Sequence, residues 1–264
     1  MKRIGKIKKT EVAEKKTFDV EDFWKIHVEK ITEMRKTSDA PVDTMGCHKL
    51  ADPLVSPETF HFQVLMALML SSQTKDDVTS AAMKRLRSYG CNVDSMLTIP
   101  TSELEKLLYP VSFYKRKAIY IQKAAAILKE KYNGDVPDTF EGLCSLPGVG
   151  PKMAHLVLQV AYNKVDGIAV DTHVHRTANR LGWVNTDTPE RTRAKLEEML
   201  PRSQWASINP LLVGFGQQIC LPIGPKCDIC LCKDICPSAR LKTTKVVTKK
   251  VEVTYTTTEK VTAE

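Results

Sequence analysis

Leu146-Pro147-Gly148-Val149-Gly150-Pro151-Lys152 is the stretch on which the reading of this chain turns. Two glycines separated by one residue make a tight turn that a Cβ at either position would resist. Pro147 fixes the entry, and Pro151 suits the first turn of a following helix. Such a turn exposes backbone N–H groups at a helix start, where an anion such as a phosphate binds. Two other phosphate motifs do not fit. A dinucleotide fingerprint needs a third glycine where Met153 stands, and a strand before it. A P-loop needs Gly-Lys followed by Ser or Thr, and here Pro151 separates Gly150 from Lys152.

The sequence on both sides of the turn is helical. Pro57 opens a helix that runs through Phe60 to Leu70. Thr74 is expected to cap the next, with Asp77 as capping-box partner and Tyr89-Gly90 as its end. Further helices are expected over Thr101–Leu108, Tyr114–Tyr132, Thr139–Cys144, Pro151–Tyr162, Asp171–Leu181, Thr188–Leu200 and Ser203–Cys220, with an early one near 20–40. Asn133-Gly134 and Gly182 are stop signals. Period-two alternation is confined to Val251–Tyr255, so the expected fold class is all-α.

The composition agrees with a globular chain. At 264 residues one or two domains are expected. Hydrophobic residues make up 42% and charged residues 27%, which is too apolar for a wholly disordered chain. No apolar run approaches the ~18 residues of a membrane span, so no membrane partner is expected. The charged N-terminus lacks the apolar stretch of a secretory signal. Lys plus Arg is 39 against 31 Asp plus Glu, a net charge of +8 that suits a polyanion partner. Residues 1–17 hold seven basic and two acidic residues. A disordered basic tail over 1–18 is expected there, suited to phosphate contacts or nuclear import. The Thr- and Lys-rich segment 241–264 is expected to be a second disordered tail.

Five of the eight cysteines fall between Cys220 and Cys236. In a reducing compartment such a cluster reads as a metal site. Cys220, Cys227, Cys230 and Cys236 follow the spacing C-x6-C-x2-C-x5-C, and Cys232 stands outside it. Spacing alone leaves zinc and an iron–sulfur cluster equally open. A zinc-stabilised helical interaction protein is therefore one reading.

Two further residues carry chemistry. Lys152 falls in the first turn of its helix, where the positive end of the dipole disfavours an ammonium. That favours a free amine, which can attack a sugar C1′ and form an imine. Asp171 is placed as an N-cap, and a carboxylate there can also assist proton transfer. His173 and His175 lie two apart on one helix and point in different directions, so they do not share a metal. One is expected to be packed and the other exposed.

Leu146–Ala154 (LPGVGPKMA), Val170–Arg176 (VDTHVHR), Leu70–Asp76 (LSSQTKD) and the cysteine spacing together resemble the endonuclease III family of helix-hairpin-helix DNA glycosylases, in its eukaryotic type. The likeness covers roughly residues 25–240. It implies a six-helix domain over 56–166, a discontinuous cluster domain over 19–55 and 167–240, and a DNA cleft between them. It implies a [4Fe–4S] cluster on Cys220, Cys227, Cys230 and Cys236, whose loop presents Lys226 and Lys233 to DNA. Lys152 resembles the catalytic nucleophile and Asp171 the catalytic carboxylate. Gly148 and Gly150 resemble the hairpin glycines that hold a DNA phosphate. Gln73 matches a glutamine that fills the gap left by a flipped nucleotide. Phe113 falls near a wedge residue, with Tyr114 as the alternative, and His173 falls near the lesion pocket. The implied activity is bifunctional: removal of oxidised pyrimidines through a lysine Schiff base, then strand cleavage by β-elimination. The implied partner is double-stranded DNA with damaged bases or abasic sites, bound by a monomer. The expected location is the nucleus, with the mitochondrion as alternative. Two competing activities are adenine-mismatch removal and non-catalytic DNA binding; neither needs a lysine paired with Asp171.

Overall fold

The structure, a computed structural model, describes residues 20–240. Both expected disordered tails, 1–18 and 241–264, lie outside the described residues. Within them there is no strand, and the all-α expectation holds. The helices are α1 (Val20–Met34), α2 (Pro41–Met45), α3 (Pro57–Ser71), α4 (Asp76–Tyr89), α5 (Val93–Thr98), α6 (Thr101–Leu108), α7 (Tyr114–Lys131), α8 (Phe140–Cys144), α9 (Pro151–Tyr162), α10 (Thr172–Arg180), α11 (Pro189–Met199) and α12 (Arg202–Gln218).

Local signals set most of the starts. The side chains of Ser56, Asn92, Thr139, Asp171 and Thr188 each accept a backbone N–H three residues on. Proline occupies the first turn of α2, α3, α9 and α11. One expected cap is corrected. Thr74 does not cap α4, whose N-cap is Lys75. The Thr74 hydroxyl is engaged elsewhere, by Ser72, Ser112 and Lys117.

The helices enclose two apolar cores. The first gathers Leu50 and side chains from Phe62 to Ala169. Its axis is α3, in which every residue from Phe62 to Leu70 is buried. A helix apolar on all sides is stable only inside a core. The second core joins Trp24, Ile31, Ala40 and Val42 to residues from Ile168 to Cys232. The chain therefore crosses from one core to the other at Ile168–Val170.

Two polar ties bind the outer helices to α12. Arg35, nearly buried, pairs with Asp43 at 2.6 Å and donates to Gln218 Oε1 at 2.7 Å. Its guanidinium fills the space a side chain at position 214 would need, which explains Gly214: a Cβ there would sit 2.3 Å from Arg35. Pro210 lies inside α12 and has no N–H to give the Ala206 carbonyl. Gln159 Nε2 from α9 donates to that carbonyl instead, at 3.1 Å.

Burial lowers His27 to about 4, the largest influence on it, while the Phe23 carbonyl pulls the other way. The Trp183 indole N–H donates to His27 Nδ1 at 3.1 Å, and a protonated ring would oppose two N–H groups there. In the unfolded chain the ring titrates near its ordinary 6.5. Its stabilising contribution is therefore complete above pH 6.5 and is lost as pH falls through about 4, reaching about 3 kcal/mol. Urea unfolding between pH 7 and pH 4 should show this decline, and His27→Gln should remove its share of the slope.

Candidate active site

The loop before α9 and the loop before α10 both open onto one cleft between the two cores. The cleft has a volume of about 1160 Å³ and is lined from the first core by Gln73, Asp76 and Lys152, and from the second by Asp171, His173 and Asn209. That is above the range for a small-molecule pocket, ~300–1,000 Å³, and leaves room for a group the size of a nucleoside.

Lys152 stands at the second residue of α9, half-buried. Gly150 is the N-cap, and its carbonyl accepts Ala154 N–H at 3.0 Å. The two hairpin glycines differ. Gly148 has φ +82°, and a Cβ would meet the Tyr120 ring at 2.8 Å. Gly150 has φ −112°, and a Cβ there would meet nothing within 4 Å. The expectation that the turn itself resists a Cβ at both positions is thus corrected for Gly150. Its bare backbone is free for the close approach of something outside the chain.

Asp171 is the N-cap of α10, its Oδ1 accepting Val174 N–H at 2.8 Å. The residues before it are clamped. Glu197 Oε1 accepts Ile168 N–H at 2.8 Å, and Asn209 Nδ2 donates to the Ala169 carbonyl at 2.6 Å. Oδ1 is therefore committed to the helix, and among the described residues Oδ2 has no such partner. Asn209 was not expected from the sequence. Its signal was a polar residue on the otherwise apolar inner face of α12, where it is 8% exposed.

The two histidines are both half-buried, contrary to the expected packed and exposed pair. They bond on opposite sides of α10. His175 Nδ1 meets Thr192 Oγ1 at 2.6 Å. His173 Nδ1 accepts from Arg176 Nη2 at 3.1 Å, which leaves the proton of the neutral ring on Nε2. Burial holds His173 below its ordinary range.

Gln73 and Phe113 are both exposed and both lie in the left-handed region, at φ +52° and +57°. Non-glycine residues there cost ~1–3 kcal/mol each, a strain associated with function. Phe113 is 59% exposed, with the Arg116 guanidinium 5.8 Å from its ring. Tyr114 instead packs edge-on against Tyr109.

The cysteines form a separate site behind α10. Cys220, Cys227, Cys230 and Cys236 line one cavity with Leu181, Phe215 and Ile219. Burial pushes the Cys236 thiol up, and the Cys220, Cys230 and Cys227 sulfurs push it further. Cys232 is fully buried outside the cavity lining, its thiol raised first by its hydrogen bond with Cys230. Among the described residues, no three Cys, His, Asp or Glu side chains close around a single-ion position. Arg180, Lys226 and Lys233 bring positive charge to the cavity wall. Lys226 is exposed, whereas Lys233 turns back to the Asp228 carbonyl at 3.4 Å. From α10, Arg176 and Arg180 hold the carbonyls of Cys220, Leu221 and Pro222, which fastens the cysteine loop to the helix that Asp171 caps.

Residues 66–202 match the family described as HhH-GPD superfamily base excision DNA repair protein. Endonuclease III-like protein 1 of Gallus gallus is 57% identical over 219 residues, which cover 82% of this chain and 78% of that protein. Endonuclease III homolog 1, chloroplastic, of Arabidopsis thaliana is 48% identical over 234 residues, covering 86% of this chain and 62% of that one. Among solved structures, a trapped endonuclease III–DNA covalent intermediate superposes with a TM-score of 0.72 at 30% identity, covering 83% of this chain and 96% of that one. With its hairpin, capping aspartate and all-helical fold, the chain belongs to the HhH-GPD superfamily of base excision DNA repair proteins and, within it, to the endonuclease III family.

Proposed function

We propose that the cleft is the active site of a bifunctional glycosylase and abasic-site lyase acting on damaged duplex DNA, with Lys152 as nucleophile and Asp171 as its carboxylate partner. The chain is a base excision repair DNA glycosylase. One observation carries the assignment of residues: an amine and a carboxylate, at the starts of helices anchored in different cores, line a single cleft.

Damaged bases stack and pair poorly, so extruding them costs less than extruding an intact base. The Gly148–Gly150 turn holds a backbone phosphate, and Gln73 and Phe113 occupy the space the nucleotide leaves. His173, on the cleft wall, faces the extruded base. Lys152 Nζ attacks C1′ as the glycosidic bond breaks, and the bonding pair leaves with the base. Asp171 Oδ2 takes the proton released by the attacking amine and passes it to O4′ as the C1′–O4′ bond breaks, which opens the sugar ring and leaves Lys152 Nζ joined to C1′ as the protonated imine. The imine then acidifies the C2′ proton, and its loss expels the 3′ phosphate. Oxidised pyrimidines are the proposed substrates and the monomer the proposed working form. We divide the chain into a domain over 56–166 and a discontinuous one over 19–55 and 167–240; the two apolar cores support this reading, with Leu50 and Ala169 reaching into the first core. We assign the nucleus as location, on the basic N-terminal arm; the chloroplastic relative makes the compartment a property of the individual protein.

Cys220, Cys227, Cys230 and Cys236 suit a [4Fe–4S] cluster. The sulfurs are spread around a cavity with apolar walls and cationic neighbours, which fits one thiolate per iron better than four thiolates ~2.3 Å from one zinc. Held by these four thiolates, such a cluster would supply a cross-link, and it would fasten the loop that Arg176 and Arg180 tie to α10. The purified protein should be brown and contain iron; a colourless protein containing zinc would reject the assignment.

Borohydride should trap wild-type protein on a duplex with one abasic site, and Lys152→Gln should form no adduct while still binding. An unchanged yield would move the nucleophile elsewhere. Asp171→Asn keeps a capping side chain, so its melting temperature should hold. Its trapping rate should nonetheless fall ~10²–10⁴-fold. Equal rates would leave Asp171 as a cap alone. Gly150→Ala should fold normally yet bind every duplex sequence roughly tenfold more weakly. Loss on one sequence only would refute the phosphate anchor.

A further inference from the structure

Beneath the exposed side chains of Gln73 and Phe113 lies a buried amine that the chemistry above does not use. Lys117 is 6% exposed and stands one turn along α7 from Phe113, whose carbonyl accepts Lys117 N–H at 3.0 Å. Lys117 Nζ donates to the Leu70 carbonyl at 2.7 Å, the Ser72 carbonyl at 2.7 Å and Thr74 Oγ1 at 3.2 Å. These three bonds use all the donors of an ammonium. Burial lowers the amine to about 8, so it still carries its proton at neutral pH.

The acceptors are carbonyls and a hydroxyl, and the compensating charge comes from the C-terminal end of α3. Each of that helix's last four carbonyls has a polar partner beyond it. Leu68 is met by Ser71 Oγ at 2.9 Å, Met69 by Ser72 Oγ at 3.2 Å, Leu70 by Lys117, and Ser71 by Thr74 N–H at 3.1 Å. Thr74 Oγ1 donates to the Ser72 carbonyl at 3.2 Å and accepts Ser112 N–H at 3.3 Å. Gln73 is thus fixed between two residues bound by Lys117. Phe113 is fixed between Ser112, which is tied to Thr74, and the helix that carries Lys117.

We propose that Lys117 is a positioning residue that locks the Gln73 turn and the Phe113 turn into one rigid unit, so that both side chains enter a duplex together. The inference rests on the roles proposed above for those two side chains. Two loops that moved separately would each need ordering when the stack opens, whereas a unit formed at folding does not. The lock spans segments more than forty residues apart and touches neither Lys152 nor Asp171.

The test compares borohydride trapping on a duplex with one abasic site and on the same abasic strand alone. A single strand has no stack to open, so trapping there reports Lys152 and the fold. The ratio of duplex to single-strand rates should fall on the order of tenfold in Lys117→Met. It should fall less in Thr74→Val, which cuts the link to Ser112 and keeps both carbonyl bonds of Lys117. Either change should lower the ratio no further when added to Gln73→Ala with Phe113→Ala. A ratio unchanged in both Lys117→Met and Thr74→Val overturns the proposal. So does an equal loss on both substrates, which marks a damaged fold. If Gln73→Ala with Phe113→Ala leaves the ratio unchanged, the roles of those side chains fall, and the lock falls with them. A lowered ratio in that double variant but not in Lys117→Met defeats the lock alone.

Discussion

An α-helix leaves amides unpaired at its start and carbonyls unpaired at its end, and a buried backbone group without a partner is costly. In this chain the cleft is assembled from the answers to that constraint. The start of α9 carries Lys152 and the glycine turn. The start of α10 is closed by Asp171. The end of α3 is closed by Lys117 and two serines. Inside α12, Pro210 frees the Ala206 carbonyl, and Gln159 crosses from the other core to meet it. Of these groups, Gln159 also ties the two cores to one another.

The cysteine site extends this arrangement rather than adding a second centre of chemistry. Arg176 and Arg180 project from α10 to the carbonyls at the head of the cysteine loop. Asp171 sits at the opposite end of the same helix. Whatever stiffens the loop therefore stiffens the element that presents the carboxylate. Asn209 and Glu197 do the same from the N-terminal side, by holding Ala169 and Ile168. The carboxylate is braced along the chain in both directions.

What the sequence revealed divides by distance along the chain. Proline at a first helical position, Asp171 before Thr172, and Gly148 within the turn act through neighbours a few residues away, so α9, α10 and the hairpin were legible. The cysteine spacing was legible for the same reason. Thr74 misled because its local pattern is that of a cap, while its hydroxyl is claimed by Ser112 and Lys117, about forty residues on. Lys117 itself reads as one more lysine in the basic run Lys115-Arg116-Lys117, and only the return of α3 beneath it buries the amine. The histidine pair failed similarly: Thr192 on α11 engages His175 and Arg176 engages His173, so both rings are half-buried. Gly150 failed in the other direction, because its φ is open to any residue and, among the described residues, an added Cβ would meet nothing within 4 Å.

The cap at Asp171 has a consequence for timing. A side chain that closes a helix cannot swivel, since rotation would release Val174 N–H. Its rotameric freedom is surrendered once, when the chain folds, and no part of that entropy has to be found again when the cleft is filled. The same bond leaves the carboxylate one-handed, with a single oxygen to offer, so a longer homologue such as glutamate would gain reach and lose aim.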